Sequence, residues 1–210
     1  MAVRIKICGV TRVEDAELAA NLGAEMIGLN FYPPSPRYLT VERALSIARA
    51  LAGRARMVGV FVNAERDYIA ERLRLLRLDL LQFHGDEDHQ ALAGWPVPVI
   101  RALRLRPGAV GPALDAVKAD YVLVDTFHPA LFGGTGQARP LDALHGLDLR
   151  RVLISGGLGP ENVAQAAALS PYAVDVASGV EASPGIKDPD RLRSFVANAR
   201  SFRATADSSR

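Results

Sequence analysis

Short apolar runs rich in valine, isoleucine and leucine alternate along the chain with longer segments of helical period. The runs are Val3–Cys8, Met26–Phe31, Met57–Val62, Leu78–His84, Val97–Leu103, Tyr121–Thr126, Val152–Ser155 and Ala173–Ala177. Helical stretches follow at Val13–Leu22, Val41–Ala52, Glu65–Arg77, Asp86–Ala93, Val110–Ala119, Pro140–Leu144, Glu161–Leu169 and Pro189–Phe202. Continuous apolar strands separated by helices belong to parallel sheets covered on both faces. Eight such units in 210 residues average roughly 26 residues each, near the least that a strand and helix repeat needs. The expected fold is α/β, a (β/α)8 TIM barrel in a single domain over residues 1–203, with a frayed tail at 204–210. A doubly wound sheet would need five or six strands, two or three fewer than the pattern shows.

A barrel of this kind carries its chemistry on the loops after the strands. The polar and glycine-rich residues gather there. Cys8-Gly9 ends the first strand, and Pro33-Pro34-Ser35-Pro36-Arg37 follows the second. Gln82 and His84-Gly85-Asp86 close the fourth, Asp125-Thr126 the sixth, Ser155-Gly156-Gly157 the seventh and Ser178-Gly179-Val180-Glu181 the eighth. The turns at the opposite end, such as Gly23-Ala24 and Gly53-Arg54, are plainer.

Composition narrows the class. Hydrophobic residues make up 49% and charged residues 23%, which excludes intrinsic disorder and low-complexity chains. The 25 basic residues are nearly matched by 23 acidic ones, so a nucleic-acid partner recognised by charge is not expected, despite an isoelectric point of 8.9. A single cysteine rules out an internal disulfide and a cysteine-based zinc centre, and the four histidines are too scattered for a metal site. His84 and His89 stand apart, and His128 and His145 fall in loops. Arg4, Lys6, Arg12 and Glu14 interrupt any signal-peptide core, and no window is apolar enough for a membrane span. A cytoplasmic protein with no metal, no membrane and no nucleic-acid partner is expected, as a monomer or homodimer. Lysine is confined to Lys6, Lys118 and Lys187, the other basic residues being arginine.

Six features carry candidate chemistry. Glycine-rich turns free backbone amides for a phosphate dianion, and in phosphate-binding barrels the last two strand-to-helix loops form that socket. Gly156 and Gly157, with Ser178 and Gly179, occupy those two positions; glycine that merely permits tight turns is the alternative. Cys8 is either a small core residue or, as the last residue of its strand, a general base facing a ligand. Asp125 closes an apolar strand, where a carboxylate is costly to bury unless paired or used; a helix cap or an arginine partner is the alternative to a general acid. Arg37 follows a proline-stiffened loop, from which its guanidinium can hold a ligand carboxylate. Gly133-Gly134-Thr135-Gly136 reads as a loop that folds over a ligand or as a plain linker. Lys6 shares the face of Cys8 but lies below the mouth, and Asp175 on the neighbouring eighth strand suits it as a structural ion-pair partner rather than leaving it a Schiff-base lysine.

Seven segments together resemble one family. They are Lys6-Ile7-Cys8-Gly9, Ser35-Pro36-Arg37-Tyr38, Leu81-Gln82-Phe83-His84-Gly85, Val124-Asp125-Thr126, Gly133-Gly134-Thr135-Gly136, Ser155-Gly156-Gly157-Leu158 and Val174-Asp175-Val176-Ala177-Ser178-Gly179-Val180-Glu181. In this order they resemble the phosphoribosylanthranilate isomerases of tryptophan biosynthesis, from residue 4 to about residue 188, with Pro184-Gly185-Ile186-Lys187-Asp188 extending the last motif. One departure is Arg139-Pro140-Leu141, where the family often has Phe-Asp-Trp. The resemblance implies an Amadori rearrangement of a phosphorylated small molecule without a cofactor. It also implies Asp125 as acid, Cys8 as base, Arg37 on the anthranilate carboxylate and Gln82 and His84 as further substrate contacts. The glycine loops would take the phosphate. The related isomerase of histidine biosynthesis resembles this arrangement with an aspartate in place of Cys8. A lyase would want a lysine at a strand end, and a non-catalytic phosphate-binding protein would need neither Cys8 nor Asp125.

Overall fold

Each of the eight apolar runs forms a strand, and the strands close on themselves. A computed structural model describes residues 3–104, 114, 116–125 and 141–201. Its barrel consists of β1 (Arg4–Cys8), β2 (Met26–Asn30), β3 (Arg56–Phe61), β4 (Leu80–Phe83), β5 (Val99–Arg104), β6 (Tyr121–Asp125), β7 (Val152–Ser155) and β8 (Ala173–Val176). All neighbours are parallel, and β8 returns to β1 with Lys6 opposite Asp175. Closure leaves no sheet edge to protect.

Alternation along the strands divides the core in two. Ile5, Ile7, Ile27, Leu29, Val122 and Val174 face outward into a layer shared with helix residues such as Ala16, Ile47, Ile69 and Phe195. Met26, Val58, Leu80, Ile100, Leu123, Leu153 and Ala173 fill the barrel interior. Tyr121 and Tyr172 pack against that inner cluster with ring centres 4.2 Å apart, and the Arg4 guanidinium lies 4.5 Å from the centre of the Tyr172 ring. The interior is thus filled below, and the mouth at the other end is left for polar groups.

Six α-helices are described: α1 (Val13–Asn21), α2 (Val41–Leu51), α3 (Arg66–Leu76), α4 (His89–Leu92), α5 (Val163–Ala168) and α6 (Pro189–Ser201). The Thr40 side chain caps α2 by accepting from the Arg43 amide. Proline opens α6, while Asp188 accepts from the amides of Asp190 and Arg191. The fourth helix is half the expected Asp86–Ala93. Asp88 caps it late, and the Glu87 carboxylate is committed to the amides of Gly85 and Asn63 and to Arg101, which holds 85–87 as a loop. The expected sixth helix is a single 3-10 turn, Asp142–Leu144. A short antiparallel hairpin, β9 (Glu181–Ser183) and β10 (Ile186–Lys187), lies between β8 and α6 and was not among the expected strands. Half of Val110–Ala119, the Gly133–Gly136 loop, Thr126, His128, Arg139-Pro140 and the tail 204–210 lie outside the described residues. Among the described residues, no helix is long and apolar enough to cross a membrane.

Candidate active site

A cavity of about 560 Å³ opens at the carboxyl ends of the strands. Cys8, Arg37, Gln82, His84, Asp125, Gly156, Gly157, Ser178 and Gly179 all line it, so the structure brings every expected site residue to one place. The reason is topological. Each lies near the carboxyl end of a strand or follows one, and closure turns distant chain positions from six strands into one ring. Asn30, Tyr32, Ser35, Ser155 and Asp175 line the cavity too. Asn30 was foreshadowed in the sequence by the polar end of an apolar run.

Cys8 and Asp125 are the last residues of β1 and β6, both half-buried. The two strands stand three positions apart around the ring of eight, so the two side chains reach the cavity from different sides. Below Cys8, the fully buried Lys6 donates from Nζ to Asp175 Oδ1 at 2.7 Å, and Ser155 Oγ donates to Asp175 Oδ2 at 2.8 Å. Burial opposes the charge on Lys6, but the Asp175 carboxylate and the adjacent Cys8 sulfur outweigh it and raise its pKa above the ordinary lysine value. A lysine held protonated is no Schiff-base nucleophile, which agrees with the structural reading of this pair.

Gln82 is almost wholly buried, with Nε2 3.2 Å from His84 Nδ1. Its Oε1 is buried and has no hydrogen-bond partner among the described residues. An unsatisfied buried acceptor costs about 1–3 kcal/mol, so a donor supplied by a ligand is worth that much here.

Arg37 is placed by its loop. Ser35 Oγ accepts from the Arg37 amide and from Asn30 Nδ2, which ties the loop to the end of β2. Gly9 lies beside the Arg37 side chain at φ +67°, and a Cβ there would collide with Cδ and press on Nε at 3.3 Å. The guanidinium is already half committed. Nε donates to Glu181 Oε1 at 2.8 Å and Nη2 to Glu181 Oε2 at 2.6 Å. The side edge of the fork is taken by the protein, and the end edge is left for a ligand. Glu181 is buried, which on its own would raise its pKa, yet Arg37 and Lys187 hold it below the ordinary carboxylate value. Glu181 and Lys187 stand in motifs of the sequence that carry no assigned role, because the burial of their charges shows only in the fold.

The seventh and eighth loops complete the ring. Gly156 and Gly157 both adopt positive φ, and Asn162 braces the turn by donating to the Gly157 carbonyl and accepting from the Gly159 amide. Gly179 lies against the Leu158 carbonyl so closely that no Cβ fits between them. Polar side chains thus surround Cys8 and Asp125, while bare backbone forms one wall.

The chain matches a family model described as N-(5'-phosphoribosyl)anthranilate (PRA) isomerase over residues 5–198. An N-(5'-phosphoribosyl)anthranilate isomerase of Pseudomonas aeruginosa (strain UCBPP-PA14) is 50% identical over 206 residues, covering 96% of this chain and 97% of its own. The crystal structure of phosphoribosyl anthranilate isomerase from Thermus thermophilus is 37% identical with a TM-score of 0.83, over 96% of this chain and 100% of its own. A phosphoribosyl anthranilate isomerase in complex with reduced 1-(o-carboxyphenylamino)-1-deoxyribulose 5-phosphate is 36% identical with a TM-score of 0.79, over 95% of this chain and 100% of its own.

Proposed function

The chain belongs to the N-(5'-phosphoribosyl)anthranilate isomerase family, and from that membership we propose that its isomerase reaction, the Amadori rearrangement that serves tryptophan biosynthesis, is run by Asp125 as general acid and Cys8 as general base. The substrate is N-(5-phosphoribosyl)anthranilate and the product 1-(2-carboxyphenylamino)-1-deoxyribulose 5-phosphate. Asp125 donates its proton to the furanose ring oxygen, and the C1–O bond breaks as the nitrogen lone pair forms an iminium. The cation acidifies the proton on C2. Cys8, as thiolate, removes it, and the C–H electrons form the C1–C2 double bond of an enolamine as the nitrogen becomes neutral. Protonation at C1 and loss of the hydroxyl proton give the ketone.

The observation that carries this reading is the shared cavity: Cys8 and Asp125 line it together with Arg37 and the glycine loops after β7 and β8. Arg37 takes the anthranilate carboxylate, and Gly156, Gly157, Ser178 and Gly179 take the phosphate. A ligand held at both ends has its ribose fixed between base and acid, where effective molarity lowers the barrier. Gln82 Oε1 accepts from a sugar hydroxyl, which satisfies the buried acceptor, and His84 orients that amide. The phosphorylated ligand in the similar complex described above supports the same substrate class.

Turnover of phosphoribosylanthranilate, made in place from anthranilate and phosphoribosyl pyrophosphate and followed by loss of its fluorescence, tests the reading. Wild type should turn over, and Cys8→Ser and Asp125→Asn should each lose about 100- to 10,000-fold in kcat while still binding product. Near-normal kcat in either variant removes that residue from its role.

A further inference from the structure

Three separate parts of the cavity wall meet at one buried ammonium. Lys187, at the end of β10, is 2% exposed. Its Nζ donates to the Cys8 carbonyl at 2.7 Å, to the Ala177 carbonyl at 3.1 Å and to Glu181 Oε1 at 2.9 Å. Those three bonds use all three of its protons. The Cys8 carbonyl belongs to the residue whose thiol faces the ligand. The Ala177 carbonyl belongs to the peptide that leads into Ser178 and Gly179. Glu181 holds the side edge of Arg37 by two further hydrogen bonds.

We propose that Lys187 and Glu181 are positioning residues that aim the end edge of Arg37 at the ligand carboxylate and tie that anchor to the peptide of Cys8. This deepens the functional reading above and rests on it. A free arginine explores many rotamers, and holding it to one geometry costs entropy at each binding event. Glu181 meets that cost in the folded protein, and its carboxylate takes only the side edge, so the end edge keeps one matching pair of donors. Glu181 alone would be a buried anion free to shift with Arg37; Lys187 fixes it to backbone. The hairpin that presents both residues is itself anchored, by the Lys187 amide to Asp15 Oδ2 at 3.1 Å and by Thr11 Oγ1 to the Gly185 carbonyl at 2.5 Å. Burial disfavours the charge on Lys187, and the Glu181 carboxylate is the main force against that loss. The two residues are therefore one unit.

The relay differs from a purely structural clip in what it discriminates. Binding of reduced 1-(o-carboxyphenylamino)-1-deoxyribulose 5-phosphate is compared with binding of the same compound lacking the carboxylate, by fluorescence titration on the intact protein. Glu181→Gln should weaken the carboxylate ligand about tenfold or more and leave the descarboxy ligand within about twofold. In turnover, Glu181→Gln should raise KM more than it lowers kcat. Lys187→Met should change both, with kcat down about 10- to 100-fold, because it also releases the Cys8 peptide. Should Lys187→Met fail to fold, Glu181→Gln decides alone, since it keeps the volume and an oxygen for Lys187. Equal weakening of both ligands, or of neither, in folded Glu181→Gln overturns the relay. Wild type that turns over phosphoribosylanthranilate while both variants match it in KM and kcat sinks the relay but spares the acid–base reading. Wild type with no turnover sinks both.

Discussion

Gly28 leaves no room for a methyl group beside Cys8. The two are register partners across β1 and β2, and a Cβ on residue 28 would lie 2.8 Å from the Cys8 sulfur and 3.0 Å from its Cα. The thiol therefore rests against bare backbone, and its direction depends on an absent side chain. Gly28→Ala should push the sulfur aside and lower kcat by about 10- to 100-fold with little change in ligand affinity. Steady-state kinetics beside a product-binding titration checks this; unchanged kcat would mean that turnover does not depend on the direction of the thiol.

The Lys6–Asp175 pair lies inside the barrel with both side chains buried. Removing one partner leaves an uncompensated buried charge, so Lys6→Met should lower unfolding free energy by about 3–5 kcal/mol. The double change Lys6→Met with Asp175→Leu should regain most of that. Urea unfolding of the three proteins measures the difference, and additive losses in the double variant would contradict the pairing.

Glu181 sets an acid limit on the fold. Burial would raise its pKa, yet Arg37 and Lys187 hold it below 4.5. A carboxylate with a lowered folded pKa contributes stability that is complete above its unfolded value and is lost as pH falls through the folded one. Between about pH 5 and pH 3, wild type should lose melting temperature more steeply than Glu181→Gln. Asp15, raised chiefly by burial, acts in the opposite sense but equally in both proteins. Parallel melting curves against pH would take this role from Glu181.

Gly179 tests the phosphate wall. Any Cβ there meets the Leu158 carbonyl, so Gly179→Ala must part the seventh and eighth loops. KM for the phosphorylated substrate should rise about tenfold or more, and competitive inhibition by inorganic phosphate should weaken with it. If phosphate inhibits the variant as it does wild type, the phosphate is held elsewhere.

Much of this was legible along the chain, because parallel strands buried on both faces must be apolar throughout and helices between them must carry a stripe. The eight runs became the eight strands, with ends shifted by a residue or two, and the residues at their carboxyl ends became the cavity. Local competition shortened the fourth helix: Asp88 and Glu87 have side chains that satisfy backbone amides outside a helix, so it shrank to one turn. The hairpin of β9 and β10 was missed because three- and two-residue strands carry no periodicity.

Hydrophobic pattern and strand-end chemistry, both local properties of sequence, determined the α/β barrel, the end at which its cavity opens and the residues that line it. Only the tertiary structure decided how those residues are held. Arg37 and Glu181 are 144 positions apart, and Lys187 is 179 from the Cys8 carbonyl it grips. No pattern in a chain reports a bond between such distant groups, since a buried charge shows its cost only in the fold, and the fold selects its partner by closing β8 onto β1.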